Sequence, residues 1–189
     1  MIYLVRHGQT EFNVQRRMQG SLDSPLTELG HRQAQAVAAL LAREIPDATG
    51  WRLISSPQPR ARTTAGYIAE ALGLEIELEP RIRELATGAF EGQFRDEIIA
   101  GLPAALRPEW AFHGPGGESY EDLIERLESW VADLPPEPHR NIIAVSHGLS
   151  GRVLRGRYLG LPRLRLVDLE APQDAVFRLV DGAVERLAC

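Results

Sequence analysis

The stretch Ile2–Gly8, IYLVRHG, decides the fold, because a short apolar run ends abruptly at Arg6-His7-Gly8. Such a run is typical of a buried β-strand that leads into a loop. A second stretch of the same kind, Asn141–Gly148 (NIIAVSHG), ends at Ser146-His147-Gly148. We therefore expect two buried strands, each of which delivers a His-Gly pair at its carboxyl end.

Between these two stretches the apolar residues take on a helical period. Leu29–Glu44 carries an apolar stripe at i, i+3, i+4 and i+7, and Thr27 is its candidate cap. Gly73 ends the next predicted helix. The further predicted elements are strands at Trp51–Ser55 and Leu74–Leu78, a helix at Arg60–Leu72, and a helix at Tyr120–Leu134 behind a Ser119 cap.

The C-terminal segment has a different pattern, with Val176–Val180 and Ala183–Leu187 flanking Asp181-Gly182, a turn typical of a tight β-hairpin. Strands that alternate with helices predict an α/β fold. We expect a three-layer sandwich with a mostly parallel sheet, helices on both faces and an antiparallel C-terminal edge hairpin. A length of 189 residues predicts a single domain over residues 1–189.

Composition and charge narrow the class of protein. A hydrophobic fraction of 44% excludes wholesale disorder, and a net charge of −5 disfavours sequence-independent binding to nucleic acid. No apolar run reaches the roughly 18 residues that span a bilayer, and MIYLVRHGQT does not resemble a signal peptide. We expect a cytoplasmic protein with no nucleic-acid or membrane partner. The lone cysteine, Cys189, excludes an intrachain disulfide.

All 21 basic residues are arginine, and the chain has no lysine. A composition bias of the source explains this best. Arginine is nevertheless the side chain suited to bidentate recognition of phosphate and carboxylate groups.

The carboxyl ends of the predicted strands point to one site, because ligands of such sheets bind in the crevice beyond them. This rule brings together Arg6, His7, Arg60, Glu84 and His147. Two arginines offer forked donors to a phosphoryl group, and a neutral imidazole can attack phosphorus. A glutamic acid with a raised pKa can protonate the leaving oxygen. A His/His/Glu metal site is the alternative, although adjacent arginines would repel a divalent cation.

Several blocks, in order along the chain, closely resemble the histidine phosphatase superfamily, in its phosphoglycerate mutase-like branch. The resemblance spans nearly the whole chain. The blocks are residues 6–13 (RHGQTEFN), Gln19-Gly20, residues 23–30 (DSPLTELG), residues 55–65 (SSPQPRARTTA), residues 83–92 (RELATGAFEG), residues 116–119 (GGES) and residues 145–148 (VSHG).

The resemblance implies a role for each matched residue. His7 would be the nucleophile that becomes phosphorylated, and Glu84 the proton donor. Arg6, Arg60 and His147 would bind the phosphoryl group. No metal and no organic cofactor is implied. The residues expected near the phosphate or the leaving group are Asn13, Gln19 and Gly20. By contrast, His31, His113 and His139 are expected to be structural, and Arg62 to be a solvated or ion-paired helix residue.

The family contains both mutases and phosphatases. Cofactor-dependent mutases follow the catalytic glutamate with a stretch that contains arginine, histidine, tyrosine and, later, lysine, whereas this chain has LATGAFEG at residues 85–92. We therefore expect a metal-independent phosphomonoesterase that hydrolyses a small phosphorylated metabolite through phosphohistidine, with a lid-like segment around residues 85–116. The alternatives are a phosphoglycerate mutase and, less favoured, a non-catalytic phospho-ligand-binding protein. The oligomeric state is left open.

Overall fold

The computed structural model describes residues 1–137, 139–166 and 168–189. Within these residues six strands form one sheet in the order β3-β2-β4-β1-β5-β6. The strands are β1 (Ile2–Arg6), β2 (Arg52–Ser55), β3 (Ile76–Leu78), β4 (Ile142–Ser146), β5 (Ala175–Val180) and β6 (Ala183–Ala188).

Strand pairing confirms the predicted sheet. The strands β1, β2, β3 and β4 run parallel, whereas β5 pairs antiparallel with β1 and β6 closes the edge as the second strand of the hairpin. In the central pair, Arg6 lies opposite Ser146. The His7 N–H extends this register by donating to the Ser146 carbonyl oxygen at 3.1 Å. The two His-Gly pairs therefore leave neighbouring strands side by side.

Helices pack on both faces of the sheet because side chains alternate along each strand. Ile2 and Leu4 join one buried cluster with Trp130 of the fifth helix, and Tyr3 and Val5 join the other cluster on the opposite face. The helices are α1 (Glu11–Val14), α2 (Glu28–Glu44), α3 (Pro59–Leu72), α4 (Arg95–Gly101), α5 (Tyr120–Ala132), α6 (Gly148–Tyr158) and α7 (Arg163–Leu166), with short 3-10 helices at Pro80–Ile82, Gly88–Phe90 and Ala104–Phe112. The predicted three-layer α/β sandwich is confirmed.

The predicted helix ends are also present. The Thr27 hydroxyl accepts from the Gly30 N–H at 3.0 Å, and Ser119 forms a reciprocal capping box with Asp122. Gly73 follows α3 with a φ of +67°, the left-handed conformation in which glycine commonly ends a helix.

Other elements had no clear sequence signal. The helix α6 was not predicted, because three glycines and three arginines in residues 148–158 obscure its apolar stripe. The predicted strand at Leu74–Leu78 is shorter, with bounds Ile76–Leu78. The proline-rich stretch Leu134–Pro138 (LPPEP) is typical of a loop, and its last residue, Pro138, lies outside the described residues. No helix in the described ranges combines the length and apolarity needed to cross a membrane.

Candidate active site

A cavity of about 500 Å³ lies beyond the carboxyl ends of β1 and β4. Its floor includes Arg6 and His7 after β1, Gly148 after β4, and Glu84. Its opposite wall comes from residues 16–20 and from residues 95–112. The crevice predicted from strand order therefore exists, and His7 from the first strand end and Gly148 from the second form part of its base.

His7 is buried and its ring has a defined tautomer. Nδ1 lies 2.8 Å from the carbonyl oxygen of Gly8. Because a carbonyl can only accept, Nδ1 carries the hydrogen and Nε2 keeps its lone pair. Burial lowers the pKa of His7 well below its usual value, and the nearby His147, Arg6 and Arg60 lower it further. His7 is thus neutral at physiological pH, the form in which an imidazole can act as a nucleophile.

The second histidine, His147, lies directly beside the first. The two ring centroids are 5.2 Å apart and the ring planes are tilted by 58°. Nε2 of His147 lies 2.7 Å from the Ser56 hydroxyl, and its buried Nδ1 has no hydrogen-bond partner among the described residues. Burial lowers its pKa, and the charges of Arg60 and Arg6 add to the shift. Nδ1 is therefore the ring atom without a partner, although His147 lies behind the surface of the main cavity.

The glycine after each histidine packs closely against another part of the protein. At Gly8 the close neighbour is protein backbone and not a ligand. A Cβ on Gly8 would lie 2.3 Å from the Gly30 carbonyl oxygen, so this glycine lets the nucleophile loop pack against the start of α2. A Cβ on Gly148 would lie 3.4 Å from the Arg6 guanidinium carbon. The glycines thus fix the positions of His7 and Arg6 through contacts within the protein.

Arg6 and Arg60 place two buried guanidinium groups around the histidines. Arg6 donates to the Ala171 carbonyl, and burial lowers its pKa to about 10. Arg60 donates to the carbonyl oxygens of Gly20 and Leu22 at 2.9 and 2.8 Å. Nε of each arginine is buried without a partner among the described residues. Each guanidinium therefore has one N–H that no described residue satisfies, and of the two side chains Arg6 lines the cavity whereas Arg60 lies behind its surface.

Glu84 differs from what the sequence predicts, because its pKa is lowered. Burial alone raises the pKa, but its carboxylate accepts from the Ser150 N–H at 3.0 Å, the Leu149 N–H at 3.1 Å and the Leu85 N–H at 3.0 Å. These donors, with the charge of Arg60, outweigh burial. The raised pKa on which the role of a proton donor depends is therefore not present in the free protein, in which Glu84 is an ionised carboxylate.

The three residues predicted near the leaving group all line the cavity. Oδ1 of Asn13 accepts from the Thr10 N–H at 3.1 Å and from Gln173 Nε2 at 2.8 Å, which leaves its Nδ2 donors for a ligand. Gln19 donates from Nε2 to the Thr10 hydroxyl at 2.6 Å. The carbonyl of Gly20 is held by Arg60, so this loop is fixed by the buried arginine.

The residues expected to be structural lie apart from this group. His31 contacts the Tyr67 hydroxyl at 3.0 Å, and Arg62 is exposed on α3. Neither these two nor His113 or His139 lines the cavity. Across residues 1–137, 139–166 and 168–189, no three His, Cys, Asp or Glu side chains gather as a metal site would require.

Two residues of the site were missed by sequence reasoning. Gln58 joins the cavity floor to the loop at Gly20, since its Oε1 accepts from the Glu84 N–H and its Nε2 donates to the Gly20 carbonyl, each at 2.8 Å. Arg152 of α6 lines the cavity next to Glu84. Gln58 lies inside the SSPQPR block and carried no pattern of its own, whereas Arg152 could have been found as the arginine one turn beyond the second His-Gly pair.

The segment 85–116 is fastened to the loop 16–18 by backbone hydrogen bonds. The Met18 N–H donates to the Gln93 carbonyl at 2.9 Å, and the Gly92 N–H donates to the Met18 carbonyl at 2.8 Å. Arg17 adds its guanidinium 4.1 Å from the ring centroid of Phe94. Together the loop and the segment form the wall that faces the histidines.

The chain is similar to several known proteins over most of its length. The chain is 37% identical to a probable phosphoglycerate mutase GpmB of Photorhabdus laumondii, over 87% of this chain and 80% of that protein. A mycobacterial glucosyl-3-phosphoglycerate phosphatase with bound VO3 superposes with a TM-score of 0.79 at 32% identity, covering 99% and 96% of the two chains. The alpha-ribazole phosphatase of Shigella flexneri superposes with a TM-score of 0.80 at 25% identity, over 99% and 94%.

The model of the histidine phosphatase superfamily (branch 1) matches residues 2–182. Strand order, the paired His-Gly strand ends and this match agree along nearly the whole chain. The chain is an enzyme of the histidine phosphatase superfamily, branch 1.

Proposed function

We propose that this enzyme is a metal-independent phosphomonoesterase that hydrolyses a small phosphorylated metabolite through a phosphohistidine at His7. The observation that carries the proposal is the neutral, buried His7, whose Nε2 is free while Nδ1–H is held by the Gly8 carbonyl. A ring in this state attacks phosphorus without first losing a proton.

The surrounding groups supply the charge that the phosphoryl group needs. Arg6 and Arg60 each have an N–H without a partner among the described residues, and His147, with its ring centroid 5.2 Å from that of His7, has an unpartnered Nδ1. In phosphoryl transfer, positioning and electrostatic stabilisation account for most of the catalysis, so a cationic cradle of this kind is the main requirement.

The reaction takes two chemical steps, transfer of the phosphoryl group to His7 and its transfer to water. Nε2 of His7 attacks phosphorus, the P–O ester bond breaks, and the leaving alkoxide takes a proton from Glu84. Water then attacks the phosphorus of phospho-His7, Glu84 takes the water proton, and the P–N bond breaks to release inorganic phosphate.

The ionised Glu84 of the free enzyme requires a source for its first proton. A phosphate monoester has a second pKa of about 6, so a substrate that binds as the monoanion brings that proton with it. The phosphoryl charge beside Glu84 then favours the neutral carboxylic acid. The site thus takes up one proton with its substrate.

The segment 85–116 acts in this proposal as a lid that covers the leaving group. Support comes from its place along the cavity wall and from its fastening to loop 16–18. Trp110 and Phe112 line this wall, so the leaving group meets both apolar and basic side chains.

A phosphoglycerate mutase is the second candidate, because curated relatives carry that name. The two activities are separated by comparing inorganic phosphate release from a panel of phosphomonoesters with interconversion of 2- and 3-phosphoglycerate in the presence of the bisphosphate. We expect phosphate release to be faster and to persist in EDTA. An absolute metal requirement, or faster interconversion, would overturn the proposal.

A further inference from the structure

The cavity is lined by more basic side chains than one phosphoryl group needs. Among the described residues its acidic lining consists of Glu84 and Glu109, and Glu109 is ion-paired to Arg163. Its basic lining consists of Arg6, Arg16, Arg17, Arg95, Arg107 and Arg152. Six arginines therefore face two glutamates, one of which is already ion-paired, and the cavity carries an excess of positive charge.

Most of these arginines already have partners within the protein. Arg16 pairs with Asp96 at 2.9 Å, Arg17 donates to the Gly92 carbonyl at 2.6 Å, and Arg107 donates to the Leu102 carbonyl at 3.0 Å. Each of these contacts fixes part of the wall. They leave Arg95 and Arg152 as the cavity arginines to be explained.

Arg152 extends from α6, one turn beyond Gly148, and is largely withdrawn from solvent. Its Nε is buried with no hydrogen-bond partner, and no carboxylate in the described ranges lies within ion-pair distance of its guanidinium. Burial lowers its pKa, the charge of Glu84 opposes that shift, and the charge of Arg95 adds to it. A buried guanidinium without a carboxylate is costly unless a ligand neutralises it.

Arg95 begins α4 on the facing wall, with its guanidinium carbon 5.3 Å from the ring centroid of Trp110. It makes no ion pair with a described residue, and it faces the like charge of Arg152 across the cavity. Both arginines line one cavity, Arg152 partly buried and Arg95 exposed, and their like charges repel each other in the free protein. An anion bound by both would remove this repulsion and offset the partial desolvation of Arg152.

We propose that Arg152 and Arg95 bind a second anionic group of the substrate, a carboxylate or a second phosphate, beyond the phosphoryl group held over His7. This inference rests on the proposed function, since it places the scissile phosphoryl group at Arg6 and His7. The forked N–H donors of arginine match the oxygens of either anion. The substrate class is therefore a phosphomonoester whose leaving group itself carries negative charge.

A different role for Arg152 would be direct contact with the scissile phosphoryl group. The charge of Arg152 lowers the pKa of Arg6, so the two guanidinium groups are electrostatic neighbours. In that case Arg152 would contribute equally to the binding and hydrolysis of every phosphomonoester. In the role proposed here, the dependence is specific to substrates with a second anion.

Three probes that share one skeleton separate these roles. They are glycerol 3-phosphate, which has an uncharged tail, 3-phosphoglycerate, in which a carboxylate replaces the terminal alcohol, and glycerol 1,3-bisphosphate. Their binding to the full-length His7→Asn protein is measured by calorimetry, together with kcat/KM of the unmodified enzyme. We expect at least one anionic probe to bind about tenfold to a hundredfold more tightly than glycerol 3-phosphate, as charge-assisted hydrogen bonds predict.

The substitution Arg152→Met, added to the His7→Asn protein, should abolish that preference, and Arg152→Lys should restore part of it. The matched control is Arg62→Met on exposed α3, which should leave the preference unchanged. The inference would be overturned if all three probes bind equally tightly, or if the preference survives Arg152→Met. It would also be overturned if Arg152→Met weakens the binding of all three probes equally. Failure of the proposed function shows itself separately, as a lack of phosphate release by the unmodified enzyme from any phosphomonoester.

Discussion

The floor and the wall of the cavity are built in different ways. On the floor, His7 and His147 follow two hydrogen-bonded parallel strands, and Glu84 accepts hydrogen bonds from three backbone N–H groups. The wall, residues 85–116, consists of short helices joined by loops and is attached through hydrogen bonds to another loop. A rigid floor suits groups that must align with a reacting bond, whereas an irregular wall can vary with the leaving group.

The largest expected effect comes from removing the nucleophile. His7→Ala should lower kcat/KM by about 10⁴-fold or more, because the substitution removes the ring nitrogen that forms the covalent intermediate. Steady-state phosphate release measures this loss, and circular dichroism checks that the variant is folded. Undiminished turnover in the folded variant would show that the floor does not supply the nucleophile, and would contradict the contrast drawn between floor and wall.

Glu84→Gln tests the proton transfer on the same floor. The amide keeps the shape but carries no transferable proton, so we expect kcat to fall by about 10²- to 10⁴-fold for an alkyl phosphate. The loss should be smaller for p-nitrophenyl phosphate, whose leaving group needs little protonation. Equal losses for both esters would contradict the assignment of Glu84 as the proton donor.

The lowered pKa values of His7 and Glu84, both on the cavity floor, predict how catalysis depends on pH. Neutral His7 and ionised Glu84 persist in the free enzyme as the pH falls through 6.5, so kcat/KM should not drop there. Above about pH 6 the substrate loses the proton that Glu84 needs, and kcat/KM should then fall up to about tenfold per pH unit. A profile that rises between pH 5 and 7 would show that a protonated histidine limits the reaction.

Gln58→Leu probes how the floor is held together. The substitution leaves the Glu84 N–H and the Gly20 carbonyl without this partner, so we expect about a tenfold loss in kcat and about 1–3 kcal/mol in stability. Gln33→Leu, at a half-buried position on α2, is unsuitable as a control because Gln33 accepts from the Gln9 N–H. Arg62→Leu serves instead. A Gln58→Leu enzyme with unchanged kcat would show that Glu84 is held without it.

The smallest effect is expected on the wall. Trp110→Ala should raise KM by about tenfold or less and change kcat little, because Trp110 contacts the leaving-group side of the cavity and the guanidinium of Arg95. Steady-state kinetics with one anionic ester and one uncharged ester provide the measurement. A loss in kcat as large as that of Glu84→Gln would contradict the expectation that the wall contributes less to the chemical step than the floor does.

The two regions also differ in how well the sequence predicts them. Apolar runs that end in Arg-His-Gly and Ser-His-Gly identify the floor, because a buried strand and its carboxyl end have a strong local pattern. The ionisation of Glu84 could not be predicted, since it depends on N–H groups of Leu149 and Ser150, which are distant in sequence. The wall has little periodicity, and the convergence of Arg95 with Arg152 arises only from tertiary packing.

The stereochemical course at phosphorus tests the two-step transfer through His7 most directly. The enzyme hydrolyses a phosphorothioate ester made chiral with oxygen isotopes in isotopically labelled water, and the configuration of the released thiophosphate is determined. Each in-line displacement inverts the configuration at phosphorus. Transfer to His7 followed by transfer to water therefore predicts overall retention of configuration. Overall inversion would show that water attacks the ester directly and would contradict the account.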